Sequence, residues 1–135
     1  MFAEQTAYLD RVYIAQEESE EINNKVFHSL VMSIMYIGKR CRPDVLANAA
    51  YLSTKINNPS VKDLTAALKT LRYLNSSSEK GILFLKTRQQ DLKLSCDAAF
   101  NVHCDAKSHT GAVVLAGGAP VYYKSSKQKS ISKSS

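Results

Sequence analysis

The residue with most chemistry to offer is Asp97. It stands in LKLSCDAAF, where Leu92, Leu94, Cys96 and Ala98 alternate with Lys93, Ser95 and Asp97. That alternation is the period of a half-buried strand, and it puts the carboxylate on the polar face near the strand's end. Aspartate is a poor strand former, so here it is a turn starter or a functional group. The residues alone favour the turn role and leave the other open. Further on, His103, Cys104 and His109, with Cys96, are zinc-ligand types. Their spacing matches no pair-and-pair arrangement, so they read as a polar loop between strands, with Asp105 as a loop acid. Nor do they make a Ser-His-Asp or Cys-His nucleophile. Gly117-Gly118 has neither a following helix start nor a GK[ST] ending, so it is a turn and not a phosphate loop.

Charge supplies the second kind of candidate. The net charge of +6 is unevenly spread. Residues 1–22 hold six acids and one base, a net of −5, and the remaining 113 residues hold 17 bases and six acids, a net of +11. After Asp105 there are five lysines and no acid. A basic body suggests contact with a polyanion. Lys39, Arg40 and Arg42 cluster at one helix junction, where they could touch phosphates or simply complement a helix C-terminus. Lys124, Lys127, Lys129 and Lys133 present the same choice. Tyr122 and Tyr123 read as sheet packing.

The elements that must position these groups change character along the chain. Val26, Phe27, Leu30, Val31, Ile34, Met35 and Ile37 form an apolar stripe at helical spacing, with Gly38 as a stop. A second helix starts around Arg42-Pro43-Asp44, buries Val45, Ala49, Leu52 and Ile56, and ends at Asn57-Asn58-Pro59. In the third, Ser60 caps and Asp63 completes a variant capping box, with Val61, Leu64, Leu68 and Leu71 on the buried face. Three such helices should pack as a small bundle. Beyond Ser78 the period switches to strands, at Gly81–Lys86 (GILFLK), Leu92–Ala98, Gly111–Ala116 and Val121–Lys124, with the diglycine as a hairpin turn. The fold class expected is α+β, a three-helix segment followed by an antiparallel β-meander.

At 135 residues with 44% hydrophobic content, a core is possible. No apolar run approaches the ~20 residues of a membrane span. The N-terminus lacks the blocks of a signal peptide, and Cys41, Cys96 and Cys104 make an odd, scattered set. Both features point to reduced thiols and an intracellular location, cytoplasmic or nuclear.

The run from Phe27 to Phe84 carries Tyr36-Ile37, Arg42-Pro43-Asp44, Leu71-Arg72-Tyr73-Leu74 and Gly81 in order. It resembles the Pol polyprotein of copia-type LTR retrotransposons just after the polymerase palm. The following block has Asp97-Ala98, Asp105 with Lys107-Ser108, Gly111, the Gly117-Gly118 and Pro120 hairpin, and Lys124 through Gln128. It is similar to the opening of that polyprotein's ribonuclease H domain. The resemblance covers roughly residues 25–135.

The resemblance implies an acidic linker (1–22), a helical thumb or connection region (23–77) and the first half of a ribonuclease H-like domain (78–135). It implies that Asp97 is a catalytic, metal-binding aspartate, one of several carboxylates gathered around Mg²⁺. It also implies that the other acids lie beyond Ser135, so this chain would not be catalytic alone. Its expected partners are an RNA–DNA hybrid or template–primer and the remainder of the polyprotein, with no membrane. Expected nucleic-acid contacts are Lys39, Arg40, Arg42, Lys124, Lys127 and Lys129. Two departures stand out, Ala99 where the family usually has a second aspartate and Phe100 in place of tryptophan. The alternative is a small basic module that binds nucleic acid or protein without enzymatic work.

Overall fold

A computed structural model describes residues 22–86, 91–103 and 105–131. The acidic stretch up to residue 21, Cys104 and Lys133 lie outside the described residues. The chain divides into a helical unit that ends at Gly81 and a β unit that begins at Ile82.

In the helical unit, α1 runs Asn24–Arg40, two residues ahead of the apolar stripe, because the Asn23 side chain accepts hydrogen bonds from the Lys25 and Val26 amides. Its buried face is Phe27, Leu30, Val31, Ile34 and Gly38. Gly38 does not stop the helix, as the sequence suggested. It lies inside it, where the next element passes closely. A Cβ placed there would sit 3.4 Å from the Leu46 Cα and 3.5 Å from Val45 and Leu46 side-chain carbons. Pro43–Val45 forms a single 3-10 turn that leads into α2, Leu46–Ser53. α2 ends four residues short of the expected Asn57.

α3 runs Val61–Ser76 and begins with the capping box read from the sequence. The Asp63 amide donates to the Ser60 Oγ at 3.3 Å, and the Ser60 amide donates to Asp63 Oδ2 at 2.9 Å. Leu64, Leu68 and Leu71 are buried as expected, but Val61 in the first turn is 53% exposed. The core joins Phe27, Leu30, Val31 and Ile34 of α1, Val45, Ala49 and Leu52, and Leu64, Ala67, Leu68, Leu71 and Leu74 of α3. Three amphipathic stripes thus close on one another, which is what holds short helices together in water.

The β unit is a three-stranded antiparallel meander, β1 Leu92–Ala99, β2 His109–Ala116 and β3 Ala119–Lys127, in the order β1-β2-β3. Gly117 and Gly118 both have positive φ, at 55° and 86°, as a tight two-residue hairpin requires. Directly paired residues share a face. One face therefore carries Leu92, Leu94 and Cys96 with Ala112, Val114 and Tyr122, and the other carries Asp97 with His109, Ser125 and Lys127. The register slips between Val114 and Leu115, a bulge beside the hairpin.

Two strand-level expectations fail. Residues 81–86 form no strand, and Leu83, Phe84 and Leu85 are 73%, 65% and 67% exposed. An apolar run becomes a strand only when a neighbour accepts its hydrogen bonds, and none of the three strands pairs with it. Nor is β1 half-buried, since all eight of its residues are exposed. The alternation is present, but nothing among the described residues covers the apolar side.

Candidate nucleic-acid interface

The candidate residues fall into two groups, one per unit. In the helical unit, Lys39 and Arg40 lie exposed in the last turn of α1, with the Arg40 guanidinium 5.4 Å from the Tyr36 ring centroid. Their cations complement the carbonyl end of the helix and remain open to solvent.

Arg42, two residues on, has a different environment. It is 5% exposed. Its Nε donates to Asp44 Oδ1 at 3.0 Å and its Nη2 to Asp44 Oδ2 at 2.8 Å, the bidentate fork of an arginine–carboxylate pair. Nη1 reaches the Ser77 carbonyl and Nη2 the Ser77 Oγ, both at 2.8 Å. The Tyr73 hydroxyl donates to Asp44 Oδ2 at 2.8 Å, and the guanidinium lies 5.2 Å from the Tyr73 ring centroid. Asp44's carboxyl is held below its usual range, chiefly by the Arg42 hydrogen bond and also by the Tyr73 hydroxyl. Arg42 is therefore a clasp that ties the start of α2 to the end of α3. Its donors are turned inward, away from any phosphate. Asp44, Tyr73 and Ser77 complete the clasp; the sequence placed Asp44 at a helix start and did not join it to Tyr73 and Ser77. The signal was present in the Arg-Pro-Asp and Leu-Arg-Tyr-Leu marks, but the pairing spans 35 residues.

In the β unit, Asp97 is exposed near the end of β1 and pairs across to Gly111. Nothing lies within 4 Å of where a Gly111 side chain would begin, so the ground beside the carboxylate is open. The Ala98 amide donates to Asp97 Oδ1 at 2.8 Å. Among the described residues no group of three or more His, Cys, Asp or Glu side chains could hold a metal ion. The described acids therefore do not by themselves fit a two-Mg²⁺ centre.

On the same face the loop between β1 and β2 is tied down by groups that the sequence left as an undistinguished loop. His103 Nε2 and His109 Nδ1 are 3.1 Å apart, and His109 Nε2 is 2.7 Å from Ser125 Oγ. The two rings tilt by 38° with centroids 5.3 Å apart. The facing nitrogens are within hydrogen-bond distance of each other, an arrangement that joins the rings rather than aiming both at a metal. Burial pushes the His109 imidazole down from its ordinary range, which suits a ring that accepts on one side. Asp105 Oδ2 receives Lys127 Nζ at 2.8 Å and Lys107 Nζ at 3.4 Å. Those ammonium groups hold the Asp105 carboxyl below its usual range, Lys127 first. Lys124 and Lys129 are both exposed.

Against known proteins, the chain is similar to one of Saccharomyces cerevisiae whose name assigns it to transposon Ty5-1. The two are 29% identical over 106 residues, 78% of this chain and 34% of that protein. The chain thus spans about a third of that relative's length. It is also similar to secreted RxLR effector protein 161 of Plasmopara viticola, 29% identical over 115 residues, 84% of this chain and 81% of that protein. No family model matches. No solved structure matches. Among the described residues no helix is long and apolar enough to cross a membrane.

Proposed function

We propose that this chain is a segment of a retrotransposon-derived polyprotein with reverse transcriptase and ribonuclease H regions. Its own work is to grip an RNA–DNA hybrid by the backbone and to contribute one metal-site aspartate, Asp97. The observation that carries the reading is the likeness to the Ty5-1 protein over 78% of the chain. Three helices followed by an antiparallel meander with an exposed aspartate on its first strand agree with it. The grip is assigned to Lys39, Arg40, Lys124, Lys127 and Lys129. Arg42 is left out, because its guanidinium is engaged within the clasp. Mg²⁺ would require acids from other parts of the polyprotein. When bound it would activate the attacking water and stabilise the leaving oxygen. Asp97 would then supply one carboxylate oxygen from the edge of an open face.

The test is binding of the full chain to a labelled RNA–DNA hybrid across salt concentrations. Affinity should fall steeply with salt and be indifferent to base sequence, and each lysine replaced by glutamine should reduce the log–log slope by about one. Salt-independent binding, or none at low salt, rejects the grip. Asp97 is tested in a longer polypeptide restored with flanking coding sequence. Cleavage of the hybrid's RNA strand should appear there and vanish with Asp97→Asn.

The second reading, a small basic binding module, has its own support. The effector relative is matched over 81% of its length, so a protein of nearly this extent exists as a unit. The module reading predicts hybrid or protein binding with no gain of cleavage on extension.

A further inference from the structure

The ion pairs of the β1–β2 loop place two cations around one oxygen. Lys127 at the end of β3 and Lys107 in the loop both direct their ammonium groups at Asp105 Oδ2, at 2.8 and 3.4 Å. All three side chains are only partly exposed, Lys107 32%, Lys127 27% and Asp105 39%. The loop that carries them is anchored at both ends. The Gln128 amide donates to the Ser108 carbonyl at 2.8 Å, and the His103 amide donates to the Lys107 carbonyl at 3.2 Å. The backbone segments that carry the two lysines are thus held beside each other independently of the acid.

We propose that Lys107 and Lys127 form a phosphate site, and that Asp105 is its built-in counter-ion, displaced when a nucleic-acid backbone phosphate enters. This rests on the proposed grip and names both its regulated part and its ligand, a backbone phosphate oxygen. The exchange conserves bonds, because each ammonium can donate to a phosphate oxygen as it does to the carboxylate. It also carries a cost. A lysine already neutralised by its own acid displaces fewer condensed counterions from the nucleic acid, so the pair contributes less to binding while Asp105 is in place. Lys129, exposed and two residues beyond Lys127, gives the first contact, and the Lys107–Lys127 pair closes second.

The experiment measures hybrid binding by the full chain at several salt concentrations, with far-UV circular dichroism to confirm the fold of each variant. Asp105→Asn should bind several-fold more tightly at low salt, with a log–log salt slope steeper by about one to two. Glu79→Gln makes the same change of net charge in the helical unit and should gain clearly less. In a Lys107→Gln/Lys127→Gln background, Asp105→Asn should lose its advantage, which isolates the coupling from general charge. If the wild type binds and Asp105→Asn merely matches Glu79→Gln, this proposal falls and the grip stands. Retention of the gain without the two lysines also overturns it. If neither wild type nor Asp105→Asn binds at any salt, the grip and the phosphate site fall together.

Discussion

Replacing Arg42 by alanine is expected to destabilise the helical unit by about 2–4 kcal/mol, read from its thermal or urea unfolding by far-UV circular dichroism. The side chain is 6% exposed and makes four hydrogen bonds, two to Asp44 and two to Ser77. Truncation strips them all. Asp44 is 40% exposed at its side chain, so water can reach its orphaned carboxylate. That keeps the loss below the upper end for a fully buried pair. Arg42→Lys keeps the charge but not the planar fork, and should recover less than half of the loss. The clasp also sets an acid limit. Asp44's carboxyl is depressed from 3.8, so its stabilisation is full above that value and is lost as pH falls through the lower folded value. The wild type should therefore lose more stability than Arg42→Ala when acidified below about pH 4. An Arg42→Ala chain that unfolds within about 0.5 kcal/mol of wild type would sink the clasp.

Leu68→Ala should cost about 2–5 kcal/mol, while Leu94→Ser changes stability by no more than about 0.5 kcal/mol and improves solubility. Both are leucines in regular structure with a clear apolar period. Leu68 is 0% exposed in the centre of the helical core, and Leu94 is 68% exposed on a sheet face that no described residue covers. Removing buried atoms leaves a cavity as well as losing transfer energy, and neither penalty applies where water already reaches the side chain. Urea titration with helical and tyrosine signals followed together measures both. A Leu94→Ser penalty close to that of Leu68→Ala would mean that the sheet face is covered in solution.

These contrasts show what could be read from the amino acids and what could not. The Ser60–Asp63 capping box and the Gly117–Gly118 hairpin were legible because each is local, with donor, acceptor and φ all set within a few residues. The stripe from Phe27 to Ile34 was legible because its period is its burial. Arg42 was not. Next to Lys39 and Arg40 it reads as a third surface base, and only its approach to Ser77, 35 positions away, makes it internal. Gly38 read as a stop because glycine often ends helices, whereas here it admits the backbone of Leu46. Gly81–Lys86 had the composition of a strand but no partner among the described residues, and composition cannot supply one. Asp97 was placed on the correct strand and face, but its chemistry depends on acids that a single strand cannot provide.

The exposed run Leu83-Phe84-Leu85, unpaired among the described residues, has a cellular consequence. Quality-control chaperones select extended, greasy peptides of this kind, which finished proteins conceal. A polypeptide that displayed one in its native form would be surveyed as though it were still emerging from the ribosome. Its abundance would then be governed by turnover more than by the strength of its helical core.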